Sequence, residues 1–169
     1  MSEELFNESE KELIEAARMI LSDGVTRLQS RIGLFPTNRA KGRSARAEVI
    51  EARNALVDNL VATYGALRHE VAAVVLIDAQ GRLISVQDFP QGKATHCEVS
   101  PRIMAEMIVK SGAVAVILLH NHPSGDNRPS RQDEALTKGF QDWLKFMDVE
   151  LIDHLVISTG GASSILGEF

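Results

Sequence analysis

The sequence predicts a mixed α/β (α+β) fold, a sheet covered by helices. Three observations carry that expectation. Val71–Ile77 and Ala113–Leu119 are short, continuous apolar runs rich in β-branched residues, the pattern of strands buried on both faces. Amphipathic helical stripes with start and stop residues lie between and around these runs. Asp78-Ala79-Gln80-Gly81 is a turn leading straight into Leu83–Phe89, so at least one strand pair is a hairpin.

Taken in order, Asn7 followed by Glu10 resembles a helix start. Leu13, Ile14, Ala17, Ile20 and Leu21 share one face of that helix, and Gly24 closes it. From Val25 to Ala47 the chain carries Arg27, Arg31, Arg39, Lys41, Arg43 and Arg46 with no acid among them. Gly33, Pro36 and Gly42 interrupt this stretch, so it reads as a basic linker, residues 25–47. A second helix begins after Ser44, and its stripe of Val49, Ala52, Leu56, Leu60 and Val61 is wide enough to dock on a sheet. After the hairpin, Ala94–Val99 reads as a third strand. Ser100-Pro101 starts a helix that ends at Ser111-Gly112. A long turn, His120–Pro129, precedes a helix from Ser130 to Met147. Leu151–Ile157 is a further strand, and Gly160-Gly161 turns into a short last one. Residues 1–66 thus form an N-terminal helical region and residues 67–169 the sheet domain.

Composition sets limits. The 169 residues suit one domain with an appendage, and 44% apolar with 24% charged residues argues against wholesale disorder. Cys97 is the single cysteine, which excludes an intrachain disulfide and a cysteine-rich zinc module. No apolar run approaches the ~18 residues of a membrane span. The acidic start, MSEELFNESEKEL, is unlike a secretory leader, so the expected location is the cytoplasm and no membrane partner is expected. Net charge is −5, which disfavours a nucleic-acid binder over the whole surface but leaves the basic segment as a local contact.

Chemistry concentrates between His120 and Asp133. Two histidines at i and i+2 on a strand end point to the same side. Seven residues then separate His122 from Ser130, room enough to turn and bring a helix N-terminus back. Two imidazoles and one carboxylate form a three-ligand set with the fourth tetrahedral position left for water, the layout of a catalytic zinc site. Each part also has a plainer explanation. Ser130-x-x-Asp133 is a capping-box pattern, and Pro123, Gly125 and Pro129 are ordinary turn residues.

His-x-His, seven residues, Ser, two residues, Asp resembles the JAMM (MPN+) metalloprotease signature. The wording His120-Asn121-His122-Pro123-Ser124-Gly125-Asp126, with Ser130 and Asp133, is similar to the RadC family, the bacterial JAB-domain branch. The likeness extends over about residues 68–169, through Gly81-Arg82-Leu83-Ile84, Ser100-Pro101-Arg102 and Asp153-His154-Leu155. It implies a JAB/MPN-like, cytidine-deaminase-like mixed sheet and one zinc ion per chain. By position it makes His120, His122 and Asp133 the metal ligands, Ser130 the oxyanion donor and Glu70 the acid that moves the proton. Glu98 and Glu106 compete with Glu70 for that last role. Asn121 stands where eukaryotic-type JAMM proteases have Ser or Thr. Asn121, Asp126 and His154 are the residues expected to support the ligands.

The implied function is zinc-dependent hydrolysis of a peptide or isopeptide bond in a protein substrate. Two other classes stand beside it: a DNA-associated repair accessory or metal-dependent nuclease, and a non-catalytic JAB scaffold. The six cations between residues 25 and 47 would meet phosphates or an acidic partner. The helix-hairpin-helix module usual before a RadC JAB domain is not legible in residues 1–66. The first helix, with an apolar stripe and an acidic back, would dock on the body or mediate self-association.

Overall fold

The computed structural model describes residues 43–90 and 99–169, with side chains from Ala47 onward. The first expected helix, residues 25–42 of the basic segment, and Ala94–Glu98 of the expected third strand lie outside the described residues. The described chain runs α1 (Arg43–Tyr64), β1 (Ala72–Ile77), β2 (Leu83–Asp88), α2 (Pro101–Ser111), β3 (Ala115–Asn121), α3 (Arg131–Phe146), β4 (Glu150–Ser158) and β5 (Gly161–Ser164). Residues 43–47, expected in the linker, are the first turn of α1.

The strands form one sheet in the order β2-β1-β3-β4-β5. β1 pairs antiparallel with β2 and β3, and β5 antiparallel with β4. β3 and β4 are parallel, and α3 supplies the crossover that a parallel pair needs. The sheet is mixed and flanked by helices, as the resemblance implies.

Period-two alternation sorts the apolar runs to two faces. Ala73, Val75, Ile77, Ile117 and Leu119 meet Ala52, Leu56, Leu60 and Tyr64 of α1. Val74, Leu76, Val116 and Leu118 meet Met104 and Ile108 of α2 and Phe140 and Leu144 of α3. The expected docked stripe of α1 is therefore real, although Val49 is only half buried and Tyr64 takes part instead. The α1 core runs across the boundary drawn between residues 66 and 67. At the end of α1 the backbone nearly touches β4. A Cβ on Gly65 would sit 2.6 Å from the Val61 carbonyl oxygen and 2.7 Å from that of Ser158. Leu60 is 0% exposed, so Leu60→Ala should cost about 2–5 kcal/mol in chemical denaturation, whereas Val109→Ala at an exposed position should change little.

Local punctuation behaves as expected in most places. Asp78 Oδ1 accepts the N–H groups of Gln80 and Arg82 in the hairpin turn. Gly112 closes α2 in the left-handed conformation at φ 70°. Ser100 sits at the N-cap of α2 but its side chain makes no capping hydrogen bond. β3 differs most from expectation. It begins at Ala115 and continues through His120 and Asn121, where the sequence pattern predicts the start of the long turn. Pairing keeps them extended: His120 stands opposite both Ala72 and Val156, and Asn121 opposite Ile157.

Candidate metal centre

The site forms where the end of β3 meets the start of α3. Strand alternation places His120 on the sheet face that carries Leu118 and the helices α2 and α3. Just beyond the strand, the His122 N–H donates to the Ile157 carbonyl, which holds the chain against β4 for one more residue. The turn then returns to the N-terminus of α3. There the capping box is formed in full: the Asp133 N–H donates to Ser130 Oγ (3.2 Å) and the Ser130 N–H to Asp133 Oδ2 (2.7 Å). The cap uses only one oxygen of Asp133; the other, Oδ1, lies 3.1 Å from His120 Nε2.

His120, His122 and Asp133 each offer one ligand atom, all within 4.8 Å of one another. The two Nε2 atoms are 3.1 Å apart, and His122 Nε2 is 3.7 Å from Asp133 Oδ2. His122 Nδ1 faces the Asp126 carbonyl at 2.8 Å. A carbonyl only accepts, so the proton is on Nδ1 and the lone pair of His122 Nε2 points into the cluster. A lone pair, a second imidazole nitrogen and a carboxylate thus crowd together, and a cation bound by N and O donors suits that set.

Electrostatics keep the donors in ligand form. Burial pushes the His120 imidazole down to about 4, against the attraction of Asp133. Burial likewise pushes His154 down to about 3. At Asp133 burial pushes the carboxyl up, but the two hydrogen bonds to Ser130 and the neighbouring imidazoles outweigh it and leave it below its ordinary value. Near neutral pH the cluster therefore holds a neutral His120 beside an ionised Asp133.

A cleft of about 560 Å³ opens over these groups, lined by Glu70, Ser100, Gln132, Leu136 and His154 together with His120, His122, Ser130 and Asp133. Glu70 is thus brought into the cleft from 50 residues upstream of His120. Glu106 is instead paired with Lys110 at 2.6 Å on the exposed side of α2, and Glu98 lies outside the described residues. A larger hollow of about 660 Å³ lies at the other end of the sheet, beside Asp78 and Glu150, away from the cluster.

The supporting residues divide their work. Asn121 is 0% exposed and turns away from the cluster. Its Oδ1 accepts the Val71 N–H at 2.7 Å, and its Nδ2 donates to the carbonyls of Leu67 (3.2 Å) and His69 (3.0 Å). It therefore clamps the backbone on both sides of Glu70 rather than holding a ligand. Asp126 orients His122 through its main-chain carbonyl. Its carboxylate faces Arg128 at 2.7 Å, which draws the acid down to about 2. His154 Nε2 lies 2.9 Å from His120 Nδ1.

Arg27, Arg31, Arg39 and Lys41 lie outside the described residues, and the side chains of Arg43 and Arg46 are not described. His96 and Cys97 also lie outside them. Among the described residues, Thr137 and Asp153 are buried polar groups that the sequence does not single out as site residues. Thr137, 1% exposed, bonds His154. Asp153, 0% exposed, accepts the N–H groups of Leu166 (3.0 Å) and Glu168 (3.1 Å) and the Ser164 hydroxyl, which ties down the C-terminal segment. A polar residue inside an otherwise apolar strand was the available signal for Asp153. Thr137 gave none, since threonine on a helix is usually unremarkable.

Comparison with known proteins gives a consistent picture. A family model described as "RadC-like JAB domain" matches residues 50–168. A protein named "UPF0758 protein" from Polaromonas sp. is 35% identical over 159 residues, 86% of this chain and 71% of that protein. One of the same name from Delftia acidovorans is 35% identical over 162 residues, 88% of this chain and 72% of that protein. A third, from Leptothrix cholodnii, is 41% identical over 113 residues, 67% of this chain and 51% of that protein. No helix among the described residues is long and apolar enough to cross a membrane.

Proposed function

The chain belongs to the RadC-like JAB domain family, and on that premise we propose that it hydrolyses peptide or isopeptide bonds with zinc as cofactor. One observation supports this above all: two imidazole nitrogens and a carboxylate converge in a cleft that also contains Glu70 and the Ser130 hydroxyl.

His120, His122 and Asp133 would hold the ion, and the donor set leaves room for water and substrate. A zinc ion bound there supplies Lewis acidity and brings the pKa of its water to about 7. Glu70 takes the proton of the attacking water and returns it to the leaving amine, so one carboxyl acts as base and then as acid. Ser130 Oγ already accepts from the Asp133 N–H, so its own proton is free to donate to the oxyanion of the scissile carbonyl. Leu136 and Pro101 give the cleft apolar surface for the substrate chain beside the amide.

Fluorogenic peptides and ubiquitin-like fusions provide the test, together with elemental analysis. About one zinc per chain and hydrolysis that is lost to a chelator and regained with zinc are the expected results. A zinc-loaded chain that cleaves no amide substrate would remove the peptidase assignment and leave a metal-binding scaffold.

A further inference from the structure

We propose that Asn121 is a positioning residue for Glu70, and that its side chain sets where this acid stands relative to the two histidine ligands on either side of Asn121 itself. This rests on the peptidase reading above, and it gives a part in the reaction to a residue that is neither ligand nor acid.

The regular ladder between β1 and β3 ends at Ala72, opposite His120. Glu70 lies two residues before that end, in a segment that belongs to no strand. Ala72 faces the α2 and α3 side of the sheet, and residues two apart in an extended chain face the same side. A chain that stays extended back to Glu70 therefore carries the acid into the cleft with His120. Asn121 supplies the pairing that the ladder lacks there. Its main-chain N–H donates to the Val71 carbonyl at 3.1 Å, and its side-chain Oδ1 accepts the Val71 N–H at 2.7 Å. Both polar groups of the Val71 main chain are thus held by one residue, with a side-chain carbonyl standing in for a strand partner.

The same side chain then reaches past Glu70. Its Nδ2 donates to the carbonyls of His69 at 3.0 Å and Leu67 at 3.2 Å. An amide head offers an acceptor and two donors together, whereas a hydroxyl in its place is shorter and has one proton. Asn121 is 0% exposed, so water has no access to replace these bonds. The two ligands keep their places without them. His120 stands opposite Ala72 and Val156, and the His122 N–H donates to the Ile157 carbonyl. The main chain of β3 therefore places the ligands, and one side chain between them places the acid.

Asn121→Ser withdraws the amide head. Asn121→Asp keeps its shape and the bond to the Val71 N–H, but turns an acceptor towards two carbonyls. The measurements are kcat and KM on a fluorogenic peptide, zinc affinity by competition with a chromophoric chelator, and amide exchange of the metal-free protein by NMR. Both variants should lower kcat by about 10–100-fold, the effect of a misplaced reacting group, with KM and zinc affinity unchanged. In Asn121→Ser the Val71 amide should exchange about tenfold faster. Added to Glu70→Gln, neither substitution should lower the remaining kcat further, because the group it positions is already gone. Equal losses with and without Glu70→Gln would mean that Asn121 acts on the fold at large, and would overturn the proposal. A zinc affinity that falls together with kcat would overturn it too, by making Asn121 a support of the ligands. Thermal unfolding checks that the variants fold. If neither does, Val71 exchange in the unaltered protein decides, since an unprotected amide there overturns the clamp. An unaltered chain that binds zinc and cleaves no amide removes the peptidase reading instead. The clamp then stands or falls on Val71 exchange alone.

Discussion

Glu70→Gln is expected to retain zinc at the level of the unaltered chain and to lose hydrolysis by about 10²–10⁴-fold, the usual contribution of a positioned acid–base group. The expectation follows from where the residue sits. Glu70 borders the cleft from the segment that leads into β1, and none of the three ligand atoms belongs to it. Glutamine preserves the size of the side chain and its hydrogen-bonding reach but cannot take a proton from water at neutral pH. The backbone around it is held by Asn121 through three hydrogen bonds that do not involve the Glu70 side chain, so the variant should fold. The informative quantity is the split between metal content and kcat. Loss of both would mean that Glu70 supports the metal itself. Loss of neither would transfer the proton role to another group.

Metal-free protein should lose stability as pH falls from about 6.5 towards 4, before the carboxylates titrate. In the unfolded chain the histidines protonate near their ordinary value of about 6.5. In the folded chain burial holds His120 at about 4 and His154 at about 3. Between those values the unfolded state binds more protons than the folded one, so stability rises with pH through this window and falls as acid is added. The His120 displacement alone corresponds to about 3 kcal/mol at its lower end, with the His154 effect in the same direction. Urea unfolding in the presence of a chelator at pH 7, 5.5 and 4.5 checks this. Zinc should steepen the loss, because acid then also releases the ion. A metal-free midpoint that stays constant across the three conditions would show that these imidazoles are not held neutral by burial.

Much of the molecule can be read from local patterns. Val71–Ile77 has the composition of a strand covered on both sides, and its alternating residues do enter two separate cores. Ser130-x-x-Asp133 has the pattern of a capping box, and the box forms with both hydrogen bonds. His120 and His122 share a side because successive residues of an extended strand alternate. These features depend on residues a few positions apart, whose relative placement is set by the geometry of a single element. The ends of β3 are less legible. Nothing local distinguishes a last strand residue from a first turn residue, and His120 stays extended between β1 and β4 while Asn121 pairs with β4.

The supporting contacts around the site depend on register between elements. His154 pairs opposite Leu118, and so faces the side of the sheet that carries His120 and Thr137. The register shifts between Val116 and Ile117, which leaves Ile152 as an extra residue on β4. Leu151 and His154 are three positions apart, and in an unbroken strand they would point to opposite faces. The bulge reverses that parity. Leu151 packs among the residues facing α2 and α3, Ile152 joins the core against α1, and His154 comes back to the α3 side to meet Thr137. The motif and its spacing specify which atoms can meet a metal. The partners of those atoms are decided by a one-residue irregularity in strand pairing, which no periodicity in the sequence announces.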